Sequence, residues 1–416
     1  MNRLWGLWER FALSLAGRST AGIAKPRRLL VDVSTIAQHD AGTGIQRTVR
    51  AIWQHLYRMD LGEIILLPVA ATARRGYGIA GFDPASGRLS LPVPGAPVLQ
   101  AGKGDIFLGL DLAAHRLSRH ERQIARWRRC GATIHILVYD LLPLLNPEWF
   151  PDSTGRNFRR WIKVVARRAD SAICISQQVA ADLDNWLDVR RTPRRTEIAR
   201  PVIPLSGAVE TSNPTHGVDK RGREAIARAE RRPTVLMVGT VEPRKGHDCV
   251  LDAMAHLWRV ADGEAPDLIL VGRPGWRTEA LQQRMRSLEA TSGRFIWLDQ
   301  ASDELLTALY ACTALVVMPS RGEGFGLPIV EALRQGRKVL ARDLPVFREL
   351  ARPGLFFFED ETPDGLGLEI MKRLREPDPV PSTGDGWDDS VLALLHALGL
   401  KGASASDKAM AHPDAL

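Results

Sequence analysis

Short apolar runs recur along the chain and alternate with amphipathic stretches. Leu29–Val33, Ile64–Pro68, Ile106–Leu110, Thr133–Tyr139 and Ser171–Ile175 are too short for core helices and largely apolar throughout. Each therefore reads as a strand covered on both faces. Helical patterns with basic outer faces lie between them, at Gln46–Tyr57, Arg119–Arg129 and Asn157–Arg168. A second alternation begins at Thr234. Strands are expected at Thr234–Gly239, Asp267–Gly272, Arg294–Leu298, Ala314–Met318 and Lys338–Ala341, with helices at His247–Val260, Arg277–Ala290, Ser302–Ala311 and Leu327–Gln335. Two such series predict two doubly wound α/β domains in tandem, with ligands bound outside the carboxyl ends of the strands.

The segment Arg190–Arg232 has little periodicity and is rich in Arg, Pro, Thr and Ser. It is expected to hold the last strand of the first domain and then a connection. The division expected is an amphipathic segment at 1–24, a first domain at 25–205, a connection at 206–232, a second domain at 233–380, a closing helix at 381–400 and a disordered tail at 401–416. Within residues 1–24, Leu4, Leu7, Trp8, Phe11 and Leu15 share one helical face. Such a segment suits a membrane interface or the protein's own surface. Glu9-Arg10 interrupts it, which argues against a signal peptide.

A length of 416 residues fits two domains, and 45% hydrophobic with 25% charged residues fits a soluble globular chain. The four cysteines are scattered without metal-ligand spacing and are expected to be structural thiols. Charge divides unevenly: residues 1–200 carry 30 Lys and Arg against 17 Asp and Glu, and residues 201–416 carry 26 against 31. The first half is thus suited to an anionic membrane surface or a lipid diphosphate. Nucleic acid is not expected, because no reader motif accompanies the charge. Serine-hydrolase elbows, zinc-protease helices and Walker loops are also missing from the sequence.

Candidate chemistry concentrates in SRGEGFGLPIVEALRQG, residues 320–336. A buried strand enters the glycine loop Gly322-Glu323-Gly324-Phe325-Gly326, and Leu327-Pro328 opens a helix carrying Glu331. Backbone amides and a helix N-terminus suit a phosphate, and the two glutamates supply acceptors for hydroxyls. The combination describes a site for a nucleotide sugar. A second turn, Gly239-Thr240-Val241-Glu242-Pro243-Arg244-Lys245-Gly246-His247, puts two adjacent cations between a strand and a helix. A fixed cation there can stabilise a leaving phosphate. The loop Gly42-Thr43-Gly44 before the first helix faces the same cleft, with Arg47 a candidate phosphate contact or surface residue. Asp140, ending a strand in Tyr139-Asp140, is either an acceptor-side carboxylate or a loop cap. Asp105 and Asp111 are weaker candidates of that kind, and Ser176 reads as a helix N-cap.

The paired glutamates of residues 320–336 resemble the E-x7-E signature of retaining glycosyltransferases of family 4, which have the GT-B fold of two Rossmann-like domains facing across a cleft. The EPRKG turn and the DVS…TGIQR opening resemble the same family. The resemblance implies a hexosyltransferase in bacterial surface or exopolysaccharide synthesis. Its donor would be a nucleotide sugar, GDP-mannose first, with dTDP-rhamnose and GDP-fucose next. Its acceptor would be a glycan, free or on a polyprenyl diphosphate, at the cytoplasmic membrane face. Glu323 would contact the transferred sugar, Lys245 the diphosphate and Asp140 the acceptor. Arg244, Gly239, Thr240, Gly324, Phe325, Gly326, Leu327, Glu331, Gly44 and Thr43 would line the donor site, Glu331 at the ribose. Thr240 stands where many members have arginine, so a second cation must come from elsewhere, Arg244 being one choice. No cofactor or metal is expected. The alternatives are a nucleotide-sugar epimerase of the same fold and a non-catalytic scaffold in an assembly complex.

Overall fold

The computed structural model describes residues 26–190, 197–209, 217–381 and 386–400. The amphipathic segment at 1–24 and the tail expected from 401 lie outside these residues. Among the described residues no helix is long and apolar enough to cross a membrane.

The N-terminal sheet contains β1 (Arg28–Asp32), β2 (Ile65–Ala70), β3 (Gly78–Ile79), β6 (Ile106–Gly109), β7 (Thr133–Val138) and β8 (Ser171–Cys174). Its order is β3-β2-β1-β6-β7-β8, parallel except for β3, with a small hairpin β4 (Gly81–Asp83) and β5 (Arg88–Ser90) beside it. The C-terminal sheet contains β9 (Thr234–Val238), β10 (Asp267–Val271), β11 (Phe295–Leu298), β12 (Leu315–Met318), β13 (Val339–Arg342) and β14 (Leu355–Phe358). It runs β11-β10-β9-β12-β13-β14 and is parallel throughout. In both sheets the chain reverses direction beside the first strand of the domain. The carboxyl ends on either side of that strand open a crevice. Strands such as β1, β10 and β12 are buried along their whole length because helices cover both faces.

Most expected strands and helices are present within two residues of their predicted limits. The main differences have physical reasons. Lys220–Arg231, expected as part of a connection, is a helix capped by Asp219, whose carboxylate accepts from Gly222 N at 2.7 Å. Its buried stripe is Gly222, Ala225 and Ala229, residues too small to mark a hydrophobic period. Beyond the last expected strand, β14 and the helix Pro363–Arg375 complete the second domain. Residues 199 and 202 form isolated parallel bridges to β8 rather than a full strand.

The helix Trp387–Ala397 crosses back and packs on Gly44–Arg58, as expected of a closing helix. Trp387 is buried and donates its indole N–H to the Ala208 carbonyl at 2.8 Å. The domains also meet at the cleft mouth, where Trp276 Nε1 donates to Trp149 O at 2.8 Å and Arg277 Nη1 to Glu148 O at 2.7 Å. Behind the cleft, the Glu349 carboxylate accepts from the Gln177 and Gln178 amides at 2.8 and 2.7 Å, capping a helix of the opposite domain. Trp387→Ala should therefore destabilise the chain by about 3–5 kcal/mol, the usual scale for emptying a buried tryptophan site. A urea denaturation midpoint equal to that of wild type would contradict this role for the closing helix.

Candidate functional site

β12 delivers the chain into the loop that carries Glu323. Its side chain is 10% exposed and is held from three directions. Arg244 Nη1 donates to Oε2 at 2.9 Å, Ser320 Oγ donates to Oε1 at 2.8 Å, and the Lys245 ammonium pairs with Oε1. Burial alone would push the Glu323 carboxyl up. Lys245 and Arg244 outweigh it and hold the pKa down at about 2. Burial, with Arg244 beside it, draws Lys245 below the usual lysine range.

Arg244 is committed on further sides, its Nε to Glu242 at 3.0 Å and Nη1 to the Gly322 carbonyl at 3.0 Å. It is thus held against Glu242, Glu323 and the Gly322 carbonyl at once. The turn itself is fixed by Gly246, at φ +69°, where a Cβ would lie 2.4 Å from the Pro319 carbonyl oxygen. His247, fully buried with Nε2 3.3 Å from Gly239 O, is kept neutral by burial, its pKa drawn down to about 3. It packs the Gly239–Lys245 turn from beneath, a part the sequence reading did not assign.

Glu331 lies inside the helix Leu327–Arg334, 2% exposed. Tyr310 donates its hydroxyl to Oε2 at 2.8 Å, and Arg47 Nη2 reaches Oε1 at 2.8 Å from the other domain. The two glutamates are therefore placed differently. Glu323 sits among the cations of its own domain, and Glu331 sits against the N-terminal wall. Gly326, at φ +115°, starts the Leu327 helix and leaves no room for a Cβ beside Phe347. Phe325 and Leu327 flank this turn, Phe325 at 9% exposure.

From the N-terminal side, Thr43 caps the Gly44–Arg58 helix in a capping box with Gln46, which leaves it a structural role. Gly44 lies against the Leu327 side chain. Tyr139 and Asp140 press on the glycine loop: a Cβ on Gly324 would fall 1.8 Å from Tyr139 O, and Ser176 Oγ donates to Gly324 O at 2.8 Å. Ser176 also accepts from Val179 N at 3.1 Å, so it is the N-cap expected and an interdomain tie as well. Asp140 Oδ1 caps the Leu142 amide at 3.0 Å, and its pKa is raised by burial against the opposing pull of Arg244. It therefore acts as a loop cap while facing the Glu323 cluster.

Asp105 lies away from the cleft, whereas Asp111 follows β6 at the carboxyl end of the sheet. Asp105 pairs with Arg28 at 2.6 Å, at the amino ends of β1 and β6 and so opposite the cleft. Asp111 accepts from the Thr35 and Ile36 amides at 2.7 and 2.8 Å. Burial raises its pKa to about 6, and that of neighbouring Asp32 to about 7. Both shape the loop after β1. Among the described residues no group of three or more His, Cys, Asp and Glu is arranged to hold a metal ion. Gly239 follows β9 with its carbonyl against Gly272, and Thr240 comes next, half-buried.

Residues 219–382 match the family Glycosyl transferases group 1. The chain is 34% identical over 373 residues to the serotype-specific mannosyltransferase WbdA of Escherichia coli, an alignment covering 88% of this chain and 44% of that protein. The chain thus spans less than half the length of this relative. Among solved structures, sucrose-phosphate synthase from Thermosynechococcus elongatus superposes with a TM-score of 0.59 at 15% identity, covering 90% of this chain and 96% of that one. Anabaena Alr3699/HepE in complex with UDP and glucose gives 0.54 at 17% identity, covering 89% and 94%. These last two establish the fold, which is GT-B.

The ion cluster has a measurable signature. A glutamate held at about 2 adds stability that is present above its unfolded pKa near 4.5 and is lost as pH falls from there toward 2. The shift corresponds to about 3 kcal/mol. Glu323→Gln should therefore lie below wild type in unfolding midpoint at pH 6, with the gap closing toward pH 3. A gap independent of pH would show that Glu323 is not held by these cations.

Proposed function

Since residues 219–382 match the family Glycosyl transferases group 1 and the described residues have the GT-B fold, we propose that the protein is a glycosyltransferase that moves mannose from GDP-mannose to a glycan acceptor with retention at the anomeric carbon. The observation that carries the reading is the meeting of Lys245, Glu323 and the start of the Leu327 helix in the cleft, between the carboxyl ends of the two sheets.

The donor diphosphate lies at the helix N-terminus, where the helix dipole favours an anion, and Lys245 turns from Glu323 toward it. As the bond from the anomeric carbon to the phosphate oxygen breaks, negative charge grows on the leaving oxygen. A fixed ammonium stabilises that charge more in the transition state than in the ground state. Glu323, ionised, accepts hydrogen bonds from hydroxyls of the transferred sugar, and Glu331 accepts from the ribose. A carboxylate offers about four lone-pair positions, so Glu331 can take hydroxyls while Tyr310 and Arg47 remain on it. The leaving phosphate oxygen takes the acceptor proton on the same face, which explains retention without a protein base. Asp140 borders the acceptor side. Lys245 and the helix dipole supply the electrostatics, so the proposed mechanism is metal-independent.

Mannose is favoured because WbdA is named a mannosyltransferase, and a surface-polysaccharide acceptor because that relative is named serotype-specific. The epimerase and scaffold alternatives gain no support from either observation. The direct test is turnover of a nucleotide-sugar panel with a mannan acceptor. GDP-mannose should be consumed, activity should persist in EDTA, and Lys245→Ala should lower kcat by about 10²–10³, the scale of one lost transition-state contact. A folded Lys245→Ala within threefold of wild type, or activity restored to a chelated enzyme only by Mg²⁺ or Mn²⁺, would refute the mechanism.

The site of action proposed is the cytoplasmic membrane face, with the acceptor on a polyprenyl diphosphate. Arg122, Arg126 and Arg129 on one helix and Arg156, Arg160 and Lys163 on its packing neighbour are exposed on the N-terminal domain. Each cation near an anionic bilayer adds about 1 kcal/mol. The full chain should co-sediment with phosphatidylglycerol vesicles at low salt and release at high salt. The combined variant Arg156→Glu, Arg160→Glu, Lys163→Glu should lose vesicle binding and keep turnover of a soluble acceptor. Wild-type protein left in the supernatant at low salt would contradict the membrane assignment.

A further inference from the structure

Behind the glycine loop, the two domains leave a cavity of about 380 Å³ between them. On the N-terminal side it is walled by the end of β8 at Ser176 and by the stretch through Ile203 and Leu205, which runs beside β8. Phe325 of the glycine loop, with Val330 and Arg334 of the next helix, walls it on the other side. That helix shows two faces. Leu327 rests on Gly44 and Glu331 meets Arg47, whereas Val330 and Arg334, one turn apart, border the cavity. Lys245, Glu323 and Glu331 are not among its lining, so the space is distinct from the transfer site.

The space is local, since the same boundary is tightly packed beside it. Where the connection passes the helix at Gly207, a Cβ would lie 2.5 Å from the Val330 carbonyl oxygen. The cavity walls are of two kinds. Ile203, Leu205, Phe325 and Val330 are buried apolar side chains, and the half-buried Arg334 and Arg352 come to the cavity from the C-terminal domain. Glu349 also borders it, but its carboxylate is taken up by the Gln177 and Gln178 amides at the start of the opposing helix. Mostly apolar walls with a few polar groups, in a volume within the usual range of roughly 300–1,000 Å³, describe a small-molecule site. A guanidinium presents a planar fork of donors that matches a phosphate. The four apolar side chains offer no partner to sugar hydroxyls.

We propose that this cavity is a second ligand site, for a phosphate ester with an apolar body. The phosphate lies on Arg334 and Arg352, and the body lies against Ile203, Leu205, Phe325 and Val330. Burying such a body removes apolar surface from water on both partners, which a bare phosphate cannot do. Phe325 belongs to the glycine loop and Val330 to the helix of Glu331, so an occupant touches the back of two elements of the transfer site. The site is read from the cavity itself and goes beyond the donor and acceptor proposed above.

The test is calorimetric titration of the full-length chain with geranyl phosphate, a short isoprenoid carrying one phosphate, beside geraniol and inorganic phosphate. Geranyl phosphate should bind, and the other two should each bind at least about tenfold more weakly, since each makes only one half of the contacts. Saturating GDP should not displace it. The double variant Arg334→Met, Arg352→Met should weaken geranyl phosphate binding by about 10- to 100-fold, the scale of lost charge-assisted contacts, and lysine at both positions should fall between. Gln177→Trp, which fills the cavity from its exposed rim and keeps that residue's amide on Glu349, should abolish binding with circular dichroism and thermal midpoint unchanged. No binding of geranyl phosphate, or equal binding of geraniol or inorganic phosphate, would overturn the proposal. Displacement by GDP, or wild-type affinity in the methionine double variant, would overturn it too. Each of these results leaves the transferase reading in place.

Discussion

The site depends on one buried carboxylate between two cations. Glu323 is removed from water, and burial by itself would neutralise it. Lys245 and Arg244 keep it charged, and in doing so they tie the EPRKG turn after β9 to the glycine loop after β12. These two strands are neighbours at the point where the C-terminal sheet changes direction. The ion cluster therefore holds together the two loops that the fold places at its crevice. Removing one member leaves the others charged and buried, which costs far more than a surface pair would.

The cleft is also shaped by close backbone approach. Gly324 meets the Tyr139 carbonyl oxygen, Gly322 meets Trp149, and Gly246 meets the Pro319 carbonyl oxygen, each without room for a Cβ. The glycines that make the motif recognisable are thus required by packing between loops and between domains as well as by any phosphate. Ser176, Trp276 and Glu349 add hydrogen bonds across the same boundary. With the domains this near, groups on both walls face one space, and Arg47 with Glu331 is the clearest case.

The fold was legible because its strands are covered on both sides. Leu29–Val33 or Ala314–Met318 can hardly be read as anything but buried strands, and the helix His247–Val260 lies where its periodicity ends. Lys220–Arg231 was not legible, since Gly and Ala on a buried face carry little hydrophobic signal. Within the site, glycine-bounded turns marked out Glu323 and Lys245, and the helix that follows the second turn carries Glu331. Pairings between distant segments were not legible. Nothing local to Arg47 says that it meets Glu331 and Asp303, and nothing local to Arg244 says that Glu242 and Gly322 would occupy it. Asp105 misled for the converse reason, being a carboxylate beside a strand whose Arg28 partner lies on another strand at the far end of the sheet.

The proposed transfer requires the diphosphate of a sugar donor to lie between Lys245 and the start of the Leu327 helix. A crystal structure of the chain with GDP-mannose bound tests it most directly. A phosphate oxygen should lie at about 3 Å from Lys245 Nζ, within hydrogen-bond range, with sugar hydroxyls on Glu323. A donor bound elsewhere, with Lys245 still paired only to Glu323, would contradict it.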